Sequence, residues 1–172
     1  MDFFDVVAAR RSVRSFMKKE IEEEKIRKIL EVANSAPSAG NLQAYEIVLV
    51  KEHGTKKELA AASHGQDFLA EAPLALVMCA NKKRAAYYRE RGQNLYCLQD
   101  ATIAASYIQL AAADLGLGTV WVGAFDEEKI SEILSLPEFL RPVAILPLGY
   151  PNEKPKKTTR RKISDLVHEE KF

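Results

Sequence analysis

The chain between Asp100 and Ala113 is built from small and apolar residues that recur on nearly every side of a helix. This pattern differs from that of an ordinary surface helix, which is apolar along one stripe only. We therefore expect a helix that is buried all round. A domain of moderate size can cover one helix in this way, and small residues on every face equally suit close contact with a second subunit.

Apolar runs elsewhere predict a central β-sheet. The stretch from Leu74 to Ala80 is continuously apolar, which indicates a strand buried on both faces. Further strands and helices are expected where apolar runs and capping residues recur. They are strands at 46–50, 119–125 and 143–148, and helices after Asp2, after Glu22 and after Asp126. Residues 81–93 are charged and aromatic with weak periodicity, so the sequence assigns them no structure.

The length of 172 residues suits one domain over 1–172. The formal net charge is +1, so no overall field attracts nucleic acid or anionic lipid. Cys79 and Cys97 lack metal-binding or redox spacing and are expected to be buried, reduced thiols. No leader sequence or membrane-spanning run is recognisable, which predicts a cytoplasmic protein without a membrane partner.

A cluster of arginines follows the first predicted helix. Arg10, Arg11 and Arg14 fall within seven residues, and Ser12 and Ser15 lie among them. The planar guanidinium group matches phosphate oxygens with two parallel hydrogen bonds, and a serine hydroxyl between two such groups can bind a further oxygen. The cluster therefore predicts a phosphate site, and the alternative is a solvated basic turn.

Other common motifs are absent from the sequence. The glycines at 116 and 118 follow a predicted helix, whereas a dinucleotide fingerprint follows a strand and opens a helix, so we interpret them as a helix stop. No Walker lysine, nucleophile elbow or zinc-protease motif is present. His53, His64 and His168 are far apart without nearby ligand pairs, so no metal site is predicted.

Several separated stretches resemble the FMN-dependent nitroreductases, in the same order along almost the whole chain. The family's Arg-x-Ser-x-Arg-x-Phe pattern is met at 10–16, its Pro-Ser-Ser-x-Asn-x-Gln-Pro loop at 37–44, and its Gly-Leu-Gly-Thr-x-Trp segment at 116–121. The remaining matches are Gln99-Asp100, Gly123-Ala124-Phe125, Gly149-Tyr150-Pro151 and Arg160-Arg161-Lys162.

The resemblance implies an α+β fold with a mixed central sheet flanked by helices, assembled as an intertwined homodimer with tightly bound FMN at the subunit interface. Residues 152–172 would form a C-terminal extension that docks on the partner subunit, and the helix from Asp100 would pack against its counterpart. A monomer with a frayed tail is the alternative that the sequence leaves open.

Carried over by position, the resemblance also implies the residues that bind FMN. Arg10, Arg11 and Ser12 would lie at the phosphate, and Arg14 would reach the ribityl chain or the N1–C2=O edge and tune the flavin. No side chain is expected to be catalytic, because flavin N5 carries the chemistry. The other implied ligands are Pro37, Ser38, Asn41 and Gln43 from the partner's loop, Val122, Gly123 and Ala124 through their backbone, and Arg160 or Arg161 at the phosphate.

The sequence departs from the family's pattern in three places. Ala39 replaces a serine and Ala44 a proline of the flavin loop, and residues 64–67 lack the lysine that many members place near the flavin edge. Arg14 is therefore expected to be the main cation beside the ring. For Lys154, Lys156 and Lys157 a solvated basic stretch is the preferred interpretation.

The activity implied is ping-pong transfer of a hydride from NADH or NADPH through FMN to nitroaromatic, quinone or similar acceptors. The segment with Tyr87, Tyr88 and Arg89 is where acceptor selection is expected. Three alternatives remain: an FMN-binding sensor or carrier with little turnover, a reductive dehalogenase of the same fold, and a nucleic-acid binder. Near-neutral net charge and the lack of aromatic residues among the tail's basic residues argue against the last.

Overall fold

The computed structural model describes residues 1–172 and has an α+β fold, as predicted. Four strands form one sheet in the order β1-β2-β4-β3, and each neighbouring pair is antiparallel. The sheet of one chain is therefore antiparallel rather than mixed, and the one parallel contact is an isolated bridge between Ser12 and Thr119 outside the named strands. The strands are β1 Tyr45–Val50, β2 Leu74–Asn81, β3 Gly118–Thr119 and β4 Leu140–Gly149.

Helices cover both faces of this sheet. The helices predicted after Asp2, Glu22 and Asp126 are confirmed, and the Asp2 and Asp126 carboxylates cap their helices by accepting from backbone N–H groups. Two helices, α3 and α4, lie in a stretch for which the sequence analysis assigned no element. The helices are α1 Phe3–Ala9, α2 Glu23–Asn34, α3 His53–Ala62, α4 Phe68–Glu71, the single turn α5 Arg89–Arg91, α6 Cys97–Asp114 and α7 Glu127–Ile133.

The central strand β2 explains the continuous apolar run in the sequence. Leu74, Leu76 and Met78 pack on one side with α2 and α6, whereas Ala75 and Val77 pack on the other side with α3 and α7. Successive side chains of a strand point to opposite faces, so a strand covered on both faces must be apolar at every position. Each large side chain removed from water in this way contributes roughly 1.5–3 kcal/mol to stability.

The long helix α6 differs from its prediction in two respects. It begins at Cys97 rather than at Asp100, because a short π-helical stretch over Gly92–Tyr96 leads directly into it. It is also not buried all round within one chain, since Tyr107 is 36% exposed and Thr102 and Ser106 face solvent. One face of a largely apolar helix is thus exposed in a single chain.

The strand predicted at 119–125 is much shorter in the structure. The structure shows β3 only at Gly118–Thr119, and the chain meets β4 again at a single bridge between Val122 and Ile145. Both contacts share one antiparallel register, so Val120 lies opposite Pro147. Proline has no N–H to donate across the ladder at that point, which interrupts the strand.

Two further segments complete the fold. Residues 84–96 form consecutive short helical turns, a 3₁₀ turn at Arg84–Tyr88, α5 and the π-helical stretch. Beyond Pro155 every residue of the C-terminal segment is exposed, including the apolar Ile163, Leu166 and Val167.

None of the helices combines the length and apolar character needed to cross a lipid bilayer.

Both cysteines are fully buried, and we expect their thiols to be unreactive in the folded protein. Burial raises the pKa of the Cys79 thiol to about 12 and also raises the pKa of Cys97. Because the thiolate is the reactive form, 5,5′-dithiobis(2-nitrobenzoate) at pH 8 should modify neither residue until denaturant is added. The variant Ser164→Cys, placed in the exposed tail, should react at once, and fast native reaction of a second thiol would contradict this packing.

Candidate functional site

The arginine segment is held against the end of the sheet. It begins where α1 ends at Ala9, and the Val13 N–H donates to the Thr119 carbonyl at 3.1 Å. The Arg11 guanidinium turns back and donates to the carbonyls of Ala8 and Arg10 at 2.6 and 2.8 Å. A cation at a helix C-terminus also interacts favourably with the helix dipole. Backbone pairing therefore fixes the path of the chain through the cluster.

Glu153 also holds the arginine segment in place, although no motif in the sequence indicates this role. Its carboxylate accepts the backbone N–H groups of Arg14 at 2.5 Å and Ser15 at 3.1 Å. The Asn152 N–H donates to the Ser15 carbonyl at 2.9 Å. These bonds join the start of the tail to the arginine segment, across a separation in sequence that no local pattern could reveal.

A cavity of about 470 Å³ opens between the arginine segment and the tail. It brings four of the predicted ligands together with Arg160, whereas the Arg161 guanidinium turns away to the Asp165 carbonyl. Lys156 and Lys157 are exposed, as expected of a solvated stretch, but they also line this cavity. Its charged and hydroxyl-bearing residues are Arg10, Arg11, Ser12, Arg14, Glu153, Lys156, Lys157, Thr158 and Arg160.

The loop over residues 37–44 adopts an unusual backbone conformation. Gly40, Asn41 and Gln43 all have positive φ angles, of 54°, 58° and 49°. Only glycine adopts this region without steric cost, so two residues of the loop are strained. Asp100, which is 2% exposed, holds the strained loop by accepting the N–H groups of Ala39 at 3.0 Å and Ala44 at 3.1 Å.

Two of the predicted loop ligands are engaged within the chain itself. The Gln43 side-chain amide donates to the Asn34 side chain at 3.2 Å, and the Ser38 hydroxyl accepts the Gln43 N–H at 3.0 Å. Asn41 is exposed and its side chain makes no hydrogen bond. Pro37 and Ser38 line a second cavity, of about 590 Å³, beside the start of α6.

The backbone at 122–124 offers two free donors rather than three. The Val122 N–H is engaged with the Ile145 carbonyl at 3.0 Å, so it cannot face a ligand as the resemblance implied. The N–H groups of Gly123 and Ala124 make no hydrogen bond, and both residues are exposed. Gln66 supports this stretch by donating to the Ala124 carbonyl at 3.3 Å.

Within one chain these three regions do not form a single cavity. The cavity beside the arginines includes no residue of the loop, and Gly123 lines a third, smaller cavity of about 180 Å³. Leu98 lines both the loop cavity and the Gly123 cavity. No group of three or more His, Cys, Asp or Glu side chains is placed to bind a metal.

The shape of the loop generates a prediction about stability. A Cβ atom at Gly40 would lie 2.3 Å from the Tyr88 hydroxyl oxygen, and Tyr88 is held by edge-to-face contacts with Tyr87 and Tyr96. Gly65 has a similar positive φ but nothing near its Cβ position. Gly65→Ala should therefore cost about 1 kcal/mol of unfolding free energy, and Gly40→Ala about 1–3 kcal/mol more.

Urea denaturation at fixed protein concentration measures this difference. The double variant Gly40→Ala/Tyr88→Phe removes the oxygen that the new methyl group meets, so it should recover most of the extra loss. Equal destabilisation by Gly40→Ala and Gly65→Ala would show that Tyr88 does not buttress the loop.

The comparisons with known proteins agree on one family. A model described as "Nitroreductase family" matches residues 7–66 and 55–150. A protein of Archaeoglobus fulgidus named putative NADH dehydrogenase/NAD(P)H nitroreductase is 32% identical, over 97% of each chain. A Bacillus subtilis protein named FMN reductase [NAD(P)H] is 30% identical over 94% of this chain and 71% of its own.

A solved structure gives the same result at the level of fold. The Vibrio harveyi NADPH:FMN oxidoreductase, complexed with NAD+, superimposes with a TM-score of 0.91 at 29% identity. The match covers 98% of this chain and 77% of the Vibrio chain.

Proposed function

The chain belongs to the nitroreductase family, and on this premise we propose that it is an NAD(P)H-dependent FMN oxidoreductase. Its acceptors are small molecules such as nitroaromatics and quinones, reduced in the same pocket that the nicotinamide leaves. The observation that carries this proposal is the cavity in which Arg10, Ser12 and Arg14 meet Arg160.

The residues of that cavity fit the phosphate of FMN. Six basic side chains line it against the single carboxylate of Glu153, and that carboxylate is already occupied by two backbone N–H groups. The net charge of the cavity lining is therefore positive, although the net charge of the whole chain is only +1. A phosphate dianion binds where positive charge is concentrated in this way. Arg160 rather than Arg161 is the second phosphate ligand in this proposal.

Bound FMN would supply the redox chemistry, taking a hydride at N5 and passing two electrons to the acceptor. The chain contributes charge and hydrogen bonds around it. Arg14 would place a cation where negative charge develops on reduction, and the free N–H groups of Gly123 and Ala124 would donate to the edge of the ring. Asn41, with its unengaged amide, is the loop residue best placed to hydrogen-bond a ligand.

We further propose that two chains form a homodimer and that residues 152–172 dock on the partner. An apolar groove of about 720 Å³ lies between α1, α2 and α6, and Phe3 at its rim is 66% exposed. The tail likewise exposes Ile163, Leu166 and Val167. Apolar surface of this extent on a folded chain marks an association surface. The loop of one chain would then reach the arginine cavity of the other.

A charged side chain introduced at the rim of the apolar groove tests the proposed dimer. Phe3→Glu leaves the fold of one chain intact, because the side chain is largely exposed, but it should raise the dimer dissociation constant at least tenfold. Leu49→Glu, at an exposed apolar position of β1, is the matched control. Analytical ultracentrifugation across a concentration series measures both variants, and an unchanged dimer in Phe3→Glu would refute the proposed interface.

FMN binding and turnover form the central test. The wild-type protein purified with FMN should retain a yellow flavin that bleaches with NADPH or NADH without oxygen. Arg10→Gln should weaken FMN binding by roughly 10- to 100-fold, the value of one charge-assisted hydrogen bond, measured by flavin fluorescence. Arg27→Gln, which breaks only an exposed ion pair on α2, should bind FMN normally.

Other outcomes of the same experiment identify the alternatives. Retained flavin that does not bleach would favour a sensor or carrier, and reduced flavin that transfers electrons only to halogenated aromatics would favour a dehalogenase. A protein that retains no FMN would refute the role of the arginine cavity. A nicotinamide donor and two unpaired thiols suit the cytoplasm, where we place the enzyme.

A further inference from the structure

A basic segment next to the proposed flavin site has no part in the function described so far. Residues 82–96, which we name the basic aromatic segment, contain Lys82, Lys83, Arg84, Arg89 and Arg91 against the single acid Glu90. None of these cations takes part in any of the ion pairs of the structure. In a chain of net charge +1, this is a local excess of positive charge without internal compensation.

The cations of this segment differ in what already holds them. Arg84 donates to the Leu42 carbonyl at 3.0 Å, and Arg91 lies over the Tyr96 ring at 5.4 Å and bonds its hydroxyl. Lys83 lies over the Phe139 ring at 5.5 Å. Arg89 makes no side-chain hydrogen bond or aromatic contact and is exposed.

The backbone of Arg89 is strained as well. Its φ angle is +52°, a conformation that costs a non-glycine residue free energy and is common at binding sites. The strain is confined to the junction between the 3₁₀ turn and α5, where it turns the chain sharply. Lys82 likewise has no side-chain partner but is half-buried, so Arg89 is the exposed cation of this segment that is free to bind an external anion.

Aromatic rings stand directly beside these charges. Tyr87 is 79% exposed and packs edge-to-face on Tyr88 at 5.1 Å, and Tyr88 packs in the same way on Tyr96 at 5.3 Å. A tyrosine combines an apolar ring face with a polar tip, so an exposed one can stack on the ring of a ligand. Tyr87 offers an open ring face within two residues of the free guanidinium of Arg89.

The basic aromatic segment also touches the proposed flavin loop. The Tyr88 hydroxyl lies against Gly40, Arg84 bonds the Leu42 carbonyl, and Tyr96 lines the cavity formed by Pro37 and Ser38. A ligand whose reactive ring lay on the flavin would thus have its distal part next to this segment. The segment offers that distal part an aromatic platform and an unpaired cation.

We propose that the basic aromatic segment binds the adenosine 2′-phosphate end of NADPH, with Arg89 at the phosphate and Tyr87 under the adenine, and so makes NADPH the preferred electron donor. The proposal rests on the function proposed above. NADPH differs from NADH only in this phosphate, so a guanidinium that binds it discriminates between the two donors. Stacking on Tyr87 is available to the adenine of either donor.

Steady-state kinetics of the FMN-loaded enzyme test the proposal. The wild type should show kcat/KM for NADPH at least tenfold above that for NADH. Arg89→Gln should lower kcat/KM for NADPH about tenfold through KM and leave NADH unchanged, which removes the preference. Lys57→Gln, an exposed cation without an ion pair on α3, is the matched control and should change neither donor.

Two competing ligands report binding directly. Adenosine 2′,5′-bisphosphate should inhibit competitively against NADPH in the wild type, and its inhibition constant should rise about tenfold in Arg89→Gln. Adenosine 5′-phosphate, which lacks the 2′-phosphate, should inhibit more weakly and equally in both proteins. Tyr87→Ala should weaken both adenosine compounds by a similar factor, because stacking does not depend on the phosphate.

The next outcomes would overturn the proposal and leave the proposed function standing. An unchanged donor preference in Arg89→Gln, or an equal loss of kcat/KM for NADPH and NADH, would show that this segment does not bind the 2′-phosphate. A change only in the ratio of 4-nitrobenzoate to 4-nitrobenzyl alcohol as acceptor would assign the segment to the acceptor instead. Failure of FMN to remain bound, or of both donors to bleach it, would refute the proposed function itself.

Discussion

The pairing of residues 12–17 with the end of the sheet holds three guanidinium groups in one place against their mutual repulsion. The N–H groups of Val13 and Met17 donate to the carbonyls of Thr119 and Tyr150, at 3.1 and 2.9 Å. Like charges brought together in a folded chain lower its stability unless other contacts oppose them. Here backbone hydrogen bonds to the sheet oppose the repulsion, and neither partner in such a bond titrates.

A second kind of support occurs at both halves of the proposed site. A carboxylate distant in sequence accepts two backbone N–H groups of a short irregular segment: Glu153 for the arginine segment and Asp100 for the flavin loop. Asp100 is buried and Glu153 is exposed, so water competes less for the hydrogen bonds of Asp100. Binding groups fixed before a ligand arrives lose less conformational entropy on binding.

In a single chain the parts of the proposed site lie apart and some apolar surface is exposed. The arginine cavity and the flavin loop lie apart, one face of α6 is exposed, and the tail presents apolar residues to solvent. The homodimer proposed above would explain these features together, because exposed apolar surface costs free energy while it faces water. Association would cover the helix and place one chain's loop at the other chain's arginines. The basic aromatic segment, packed on that loop, would then border the same pocket.

The sequence by itself determined the central strand, the capped helices and the motifs that indicate the family, because these depend on local periodicity and on residue types at fixed spacing. It predicted the arginines and the loop as binding residues but not the residues that hold them. Glu153 and Gln66 act through backbone groups far away in the chain, and no spacing rule connects such partners.

Only the tertiary structure decided several other points. Pro147 interrupts the strand predicted at 119–125 because it lies opposite Val120, a register that only the folded sheet defines. Arg160 lines the arginine cavity and Arg161 does not because of the path of the tail, and the Val122 N–H is engaged because it bonds the Ile145 carbonyl. Each of these outcomes is a contact between segments distant in sequence, and such contacts form only when the whole chain has folded.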